Sequence, residues 1–324
     1  MNFKKLIIAA KLVVGAAFIG FILYKIDLKN ITNTIYNANL SFFVLSIIYL
    51  SAAVVFNALR WVFISRGLSH GVEPRTAIIG YFEAMFFNQI LPTGFGGDAI
   101  RIVRAYDSGI VAGWATIGVL IDRAFGLLAV GLVLLAALVN HSSQVATAPT
   151  FPLIAACAAL IVGGAAGAAG LGMVLRAEAL PGWTRPFVAL LKAFADVFRS
   201  PKGLGYIFVT LIASSGLTVA SFMACASSLG VQVGWWDCAI ILQGMVLASL
   251  IPISIGGWGL REGAAIILFG ALGIGPEAAA ATSILFGLVL TVVGLIGAAV
   301  WMFSGYRRVD LAARLNSIKS TGKT

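Results

Sequence analysis

The sequence predicts an all-α integral membrane protein with six full transmembrane helices, two re-entrant broken-helix hairpins and an inverted repeat. Of the 324 residues, 60% are hydrophobic and 10% are charged, whereas an ordinary soluble domain has roughly 25% charged residues. Six apolar stretches have the roughly 20 residues that a helix needs to cross a bilayer. Two more apolar regions are interrupted by proline and by paired glycines. This composition excludes a soluble globular enzyme.

The first predicted span follows an opening that resembles a signal peptide. Lys11 interrupts its apolar run and further spans follow, so we expect an uncleaved first helix. The two interrupted regions, 76–91 and 237–275, are predicted to be broken helices. The predicted full spans cover residues 6–24, 41–59, 111–139, 151–175, 204–229 and 279–303.

The charge distribution predicts the orientation of the chain. The 22 Lys and Arg residues outnumber the 12 Asp and Glu residues, which gives a net charge of +10. These basic residues border apolar spans, so no nucleic-acid partner is expected. Since Lys and Arg beside spans are retained in the cytoplasm, most of them fall on one side if both termini are cytoplasmic. That orientation requires the first hairpin to enter from the cytoplasm and the second to enter from outside.

The two interrupted regions contain related sequences. Residues 90–101, ILPTGFGGDAIR, align without gaps with residues 250–261, LIPISIGGWGLR. Because an odd number of spans separates them, we predict two inverted membrane repeats, 1–140 and 141–306, followed by a basic cytoplasmic tail, 307–324. The alternative is a chance recurrence in a chain with 37 glycines. The matched positions are Pro92 with Pro252, Gly96 and Gly97 with Gly256 and Gly257, and Arg101 with Arg261.

The predicted tips of the two hairpins are suited to an anion. Proline ends the incoming half-helix and the glycine pair permits a sharp turn. The outgoing half-helix then presents unpaired N–H groups at its positive end, which favour a bound anion. Arg101 and Arg261 follow in the first turn, where a guanidinium can donate two hydrogen bonds to a phosphate. We therefore predict that these arginines and the four glycines bind substrate.

Two interpretations remain open for the charged residues at the tips. Asp98 and Glu262 are substrate-site candidates, but Asp98 is equally suited to capping its half-helix and Glu262 to complementing the dipole of the other. Arg101 and Arg261 either contact substrate or form structural ion pairs with the acidic residue of the opposite repeat.

Four further polar residues lie in apolar segments, where a charge near the bilayer centre costs about 2.5–3.5 kcal/mol. We expect all four to face the interior of the helix bundle. Asn88 is a further substrate-binding candidate, or it bonds carbonyl groups that the helix break leaves free. The other three are candidates for proton coupling or for structural ion pairs: Glu83, Asp122 and Arg123.

Covalent chemistry is not indicated by the sequence. His70 and His141 fall in predicted loops, away from the hairpin tips. The three cysteines have no CxxC or Cys/His spacing, so we expect no zinc site and no disulfide framework. The sequence predicts no catalytic residue, no metal and no cofactor.

The segment between the two repeats is predicted to form an amphipathic helix over residues 183–200. Apolar side chains recur there at helical spacing, with basic residues at polar positions. Such a helix is expected to lie flat at the inner membrane interface, or to be an ordinary connector between the repeats.

Four separated elements of the chain carry a resemblance to a known family. They are LRW at 59–61, NQILPTGFGGDAIR at 88–101, DRAFGL at 122–127 and PISIGGWGLREG at 252–263. Together they resemble the flippase-like transmembrane region of lysylphosphatidylglycerol synthases and its stand-alone relatives, over nearly the whole chain. In those synthases a large soluble aminoacyltransferase domain follows the membrane part, whereas only about twenty polar residues follow the last predicted span here, so lipid aminoacylation is not expected.

The resemblance implies movement of lipids between the leaflets of a bacterial or archaeal cytoplasmic membrane. Our leading hypothesis is a flippase-like transporter for a phospholipid or a polyprenyl-phosphate-linked headgroup, whose partner is an anionic membrane lipid. Protonation of Glu83, Asp98 or Glu262 is one means of coupling to a proton gradient. The alternatives are a membrane enzyme acting on lipid phosphates and a non-transporting scaffold for a lipid synthase or glycosyltransferase. The oligomeric state is open.

Overall fold

The computed structural model describes residues 36–68, 70–90, 96–140, 149–175, 184–250 and 259–304. Within these ranges the chain forms ten α-helices and no β-strand. The helices are α1 Leu40–Gly67, α2 Pro74–Ile90, α3 Gly96–Asp107, α4 Ala112–Asn140, α5 Phe151–Val174, α6 Arg185–Val197, α7 Pro201–Ser228, α8 Trp235–Ser249, α9 Leu260–Gly270 and α10 Pro276–Phe303.

Five of the helices, α1, α4, α5, α7 and α10, are long and apolar enough to cross a membrane. They have 24 to 29 residues each, and a rise of about 1.5 Å per residue makes even the shortest about 36 Å long, against a hydrocarbon core of about 30 Å. They coincide with five of the six predicted spans. The sixth, 6–24, lies outside the described residues, as does the predicted tail.

Helices α2 and α3 follow α1, and helices α8 and α9 follow α7. All four are too short to cross a membrane. Helices α2, α3, α8 and α9 have 17, 12, 15 and 11 residues, which corresponds to about 25 Å or less. Helix α2 overlaps the first region that the sequence predicts to be broken, 76–91, and α3 begins after it. Helices α8 and α9 cover most of the second region, 237–275. The hairpin tips at 91–95 and 251–258, which include Pro92, Pro252, Gly256 and Gly257, lie outside the described residues.

The order long, short, short, long occurs twice, in α1–α4 and again in α7–α10. Local features at the helix ends also recur in the two series. Asn39 caps α1 by accepting a hydrogen bond from Ser41 N–H, and Ser200 caps α7 in the same way. The turns after α3 and α9 each contain a glycine at positive φ, Gly109 and Gly273, a conformation that favours glycine.

Helices α1 and α7 pack against each other along their whole length and run antiparallel. The start of α1 contacts the end of α7, where Asn39 N–H donates to the carbonyl of Ser228 at 2.8 Å. Further along, Ser46 Oγ donates to the Ser221 carbonyl at 2.9 Å. Near the end of α1, the ring of Phe63 stacks on that of Tyr206. The long helices that begin the two series, α1 and α7, are therefore direct neighbours.

Helix α6 lies within residues 183–200, the segment between the halves where the sequence predicts an amphipathic helix. Phe194 and Val197 are buried in a core with Phe125 of α4. The contact with α5 is close, because a Cβ at Gly172 would lie 2.2 Å from the Leu191 carbonyl oxygen. These apolar side chains of α6 thus pack on the neighbouring helices.

Candidate functional site

The largest concentration of buried charge lies around an open cleft of about 510 Å³ between α1, α2, α3 and α4. We call it the cationic cleft. The second half contributes Val246 and Leu250, from the end of α8, to its wall. Its polar lining consists of Asn57, Arg60, Tyr81, Asn88, Asp98, Arg101, Asp122 and Arg123.

Asp122, on α4, is the central acceptor of this cluster and is almost fully buried. Its Oδ1 accepts from Arg60 Nε of α1 at 2.9 Å. Its Oδ2 accepts from Arg101 Nη2 of α3 at 2.7 Å and from the Tyr81 hydroxyl of α2. One carboxylate therefore connects all four helices of the first half. It supplies the negative partner that the buried arginines require.

Arg101 is held between the acidic groups and two aromatic rings. Its guanidinium carbon lies 4.0 Å from the ring centre of Tyr81 and 4.5 Å from that of Trp61, both within the range of cation–π contacts. Its Nη1 lies 3.6 Å from Asp98 Oδ1. Among the described residues, its buried Nε has no hydrogen-bond partner.

Arg123 is the most accessible cation of the cleft. Its Nε donates to Asp98 Oδ2, and 34% of its side chain is exposed, against 4% for Arg101 and 6% for Arg60. The same carboxylate of Asp98 faces Arg101, so Asp98 is shared between a buried and a partly exposed arginine.

The described side chains of the cleft lining include more cations than anions. Three guanidiniums, of Arg60, Arg101 and Arg123, lie beside two carboxylates, of Asp98 and Asp122. The formal charge of these described lining residues is therefore +1.

Asn88 holds the start of α3 against the end of α2. Its Oδ1 accepts from the N–H of Gly97 at 2.9 Å, so it satisfies a donor at a helix N-terminus. A Cβ at Gly97 would lie 2.6 Å from the Ala84 carbonyl oxygen. Gly97 thus permits the close approach of the two helices, while Gly96 is buried beside it at the start of α3.

Arg261 and Glu262 form a separate cluster in the second half. Glu262 Oε1 accepts from Arg261 Nη2 at 2.7 Å and from Ser283 Oγ at 3.3 Å. Its Oε2 accepts from Gly259 N–H at the start of α9. Both charged residues are buried and neither lines the cationic cleft. Among the described residues, the ion pairs of Arg101 and of Arg261 join residues of the same half.

Glu83 lies outside the cleft lining, in a third cluster. It is fully buried and accepts from Arg104 Nε at 2.8 Å and from Ser304 Oγ at 3.0 Å. These contacts join α2 and α3 to the end of α10. Of the candidates for proton coupling, Asp98 is thus in the cleft, whereas Glu83 and Glu262 are in ion pairs elsewhere.

Sequence reasoning missed Arg60, Trp61 and Tyr81 as site residues. The predicted span 41–59 stops before Arg60, so the charge distribution assigns this arginine to the cytoplasmic end of the span. The helix continues to Gly67 and buries the arginine. A usable signal was present, since Asp122 lies in the middle of an apolar span and requires a cation from another helix.

The long apolar helices and the charged cleft between them define a multi-pass membrane protein with buried ion pairs at a candidate binding site. A family model described as the lysylphosphatidylglycerol synthase TM region matches residues 8–298. The chain belongs to this family, which confirms the resemblance found in the sequence. No curated protein matches the chain.

Proposed function

We propose that the protein is a lipid flippase-like transporter that moves an anionic phospholipid or polyprenyl-phosphate-linked headgroup between the leaflets of a bacterial or archaeal cytoplasmic membrane. The observation that carries this proposal is the cationic cleft, in which the partly exposed Arg123 is the first cation that an entering anion would meet. The family supports a lipid-related role. The proposed transport makes and breaks no covalent bond, so the chain would not be an enzyme.

The cleft lowers the main cost of moving such a headgroup. A charge in hydrocarbon is expensive, whereas a guanidinium offers a phosphate two charge-assisted hydrogen bonds. The excess charge of the lining is +1, from three arginines and two aspartates. A phosphodiester monoanion would neutralise it, whereas a dianion would leave the site with a net negative charge.

Binding would proceed by exchange of partners at Arg123. In the empty cleft Arg123 is paired with Asp98. A phosphate that binds Arg123 displaces this carboxylate, which remains beside Arg101, 3.6 Å from its Nη1. Asp98 therefore has a second cation beside it when it releases the first, and this offsets part of the cost of opening the pair.

The exchange of access between leaflets would use an inverted repeat. The twice-repeated helix order and the antiparallel packing of α1 on α7 support this arrangement. In it, the hairpin of α2 and α3 enters from the cytoplasm, the hairpin of α8 and α9 enters from outside, and both chain termini are cytoplasmic. Tilting of one half against the other would open the cleft to each leaflet in turn.

A non-transporting scaffold is the second candidate function. It is favoured by the burial of Arg101 and Arg261 in ion pairs, since a structural partner needs no accessible cation. The exposed Arg123 argues against it.

Leaflet exchange in liposomes tests the proposal. The purified protein is reconstituted with a fluorescent phosphatidylglycerol, and exchange is measured for the parent and for Arg123→Gln. We expect the substitution to lower the exchange rate by roughly tenfold or more, because a charge-assisted hydrogen bond contributes about 1.5–3 kcal/mol.

The matched control is Arg199→Gln, which removes an equally charged but exposed arginine that is paired with Asp196. It should leave exchange at the parent rate. Parent and Arg123→Gln rates that are equal and above those of protein-free liposomes would remove Arg123 from the mechanism. Absence of exchange for phosphatidylglycerol and for a polyprenyl phosphate would favour the scaffold.

A further inference from the structure

We propose that an apolar groove beside the cationic cleft holds an acyl chain of the phospholipid whose headgroup binds at Arg123. The inference rests on the proposed function for the position of the headgroup. It narrows the substrate class to a phospholipid with acyl chains of ordinary length.

The groove has a volume of about 420 Å³ and lies between α4, α5 and α6. We call it the apolar groove. Leu120 and Leu127 of α4 form one wall, and Leu160 and Gly164 of α5 form another. Phe194 of α6 closes the bottom. All of its lining residues are apolar, so its walls suit a hydrocarbon chain and offer no hydrogen bond to a headgroup.

The apolar groove is continuous with the cationic cleft. Ala124 and Leu127 line both. Leu120 and Leu127 lie three residues before and four residues after Arg123, which places all three on one face of α4. Both leucines are about two-fifths exposed. A ligand that spans the two sites must therefore be anionic at one end and apolar at the other.

The length of the apolar groove favours an acyl chain over a polyprenyl chain. On α4 it extends from Leu120 to Leu128, and on α5 from Leu160 to Ala168. Each stretch rises by about 12 Å. One leaflet contributes about 15 Å to a hydrocarbon core of about 30 Å. The groove thus matches the depth of one acyl chain in one leaflet.

Photo-crosslinking in nanodiscs tests this assignment. The probes are phosphatidylglycerol and phosphatidylcholine, each with a diazirine in the middle of one acyl chain, and the labelled peptides are identified by mass spectrometry. In the parent protein we expect phosphatidylglycerol to label α5 around Leu160 and Gly164. We expect Gly164→Phe to lower this labelling by roughly tenfold, because the ring would occupy the apolar groove.

The matched control is Gly167→Phe. Gly164 and Gly167 are exposed glycines of the same helix with no described neighbour within 4 Å of an added Cβ, but only Gly164 lines the apolar groove. Gly167→Phe should leave the labelling unchanged. Gly164→Leu provides a smaller obstruction of the groove. The thermal stability of each variant is measured, and labelling is compared only among variants whose stability equals that of the parent.

Three results would overturn the proposal. Equal labelling in Gly164→Phe and Gly167→Phe would show that no chain occupies the apolar groove. If phosphatidylcholine labels the groove as strongly as phosphatidylglycerol does, and Arg123→Gln does not change this labelling, the label comes only from bulk lipid at the protein surface. Displacement of phosphatidylglycerol by equimolar glycerol phosphate would show that the headgroup alone binds.

The transport assay, run on the same variants, separates this inference from the proposed function. Groove labelling that depends on Gly164 and on Arg123, without leaflet exchange, would support a lipid-binding groove and refute transport. Leaflet exchange that is lost in Arg123→Gln but unchanged in Gly164→Phe would support transport and refute the role of the apolar groove.

Discussion

At the scale of single residues, Asp122 is the group on which the cationic cleft depends for its shape. It accepts from Arg60 and Arg101, and both arginines are buried. Tyr81 donates to the same carboxylate and faces the Arg101 guanidinium. Removal of the negative charge would leave two buried cations with insufficient compensation, and this is more costly than the loss of an exposed pair.

Asp122→Asn should therefore destabilise the protein strongly. Breaking a buried ion pair costs about 3–5 kcal/mol, so we expect a large fall in the unfolding midpoint of the protein in detergent. Asp196→Asn is the control, since it removes the exposed partner of Arg199 and should cost about 0–1 kcal/mol. Similar midpoints for the two variants would contradict the central structural role of Asp122.

At the scale of helices, close packing of α10 on α2 fixes the position of the first half against the second. A Cβ at Gly297 would lie 1.9 Å from the Phe82 carbonyl oxygen, and one at Gly294 would lie 3.4 Å from Gln89. The contact of Ser304 with Glu83 joins the same two helices near the end of α10. The helix pair thus behaves as one packed unit.

Gly297→Ala tests this packing. The added methyl group must push two backbones apart, and overpacking of this kind costs about 1–3 kcal/mol. Gly216→Ala, in the middle of α7, meets no neighbour within 4 Å and should be neutral or slightly stabilising because alanine favours a helix. The thermal unfolding midpoints of the two variants are measured and compared. A Gly297→Ala protein as stable as Gly216→Ala would show that α2 and α10 are not closely packed.

Helix positions were more predictable than helix partners. The spans at 41–59 and 279–303 were found because length and apolar character are local properties of the chain. The contacts of Asp122 come from three other helices, so no spacing in the sequence reports them. Arg101 and Arg261 recur at matching positions, but only Arg101 lines the cationic cleft, since sequence similarity does not determine which elements pack around each copy.

At the scale of the whole molecule, the two halves repeat one helix order but differ in charge. The first half places three arginines and two aspartates around an open cleft. The same offset of 160 residues, continued past the aligned segments, leads from Asp122 and Arg123 to Thr282 and Ser283, and Ser283 donates to Glu262. The proposed transport site is therefore asymmetric, with anion binding concentrated in the first half.

The central claim is that an anionic headgroup replaces Asp98 at Arg123, and lipid binding measured by native mass spectrometry tests it most directly. Phosphatidylglycerol affinity is compared among the parent, Asp98→Asn and Arg123→Gln. We predict roughly tenfold tighter binding for Asp98→Asn, because the competing carboxylate is gone, and roughly tenfold weaker binding for Arg123→Gln. Equal affinity in all three proteins would contradict the account.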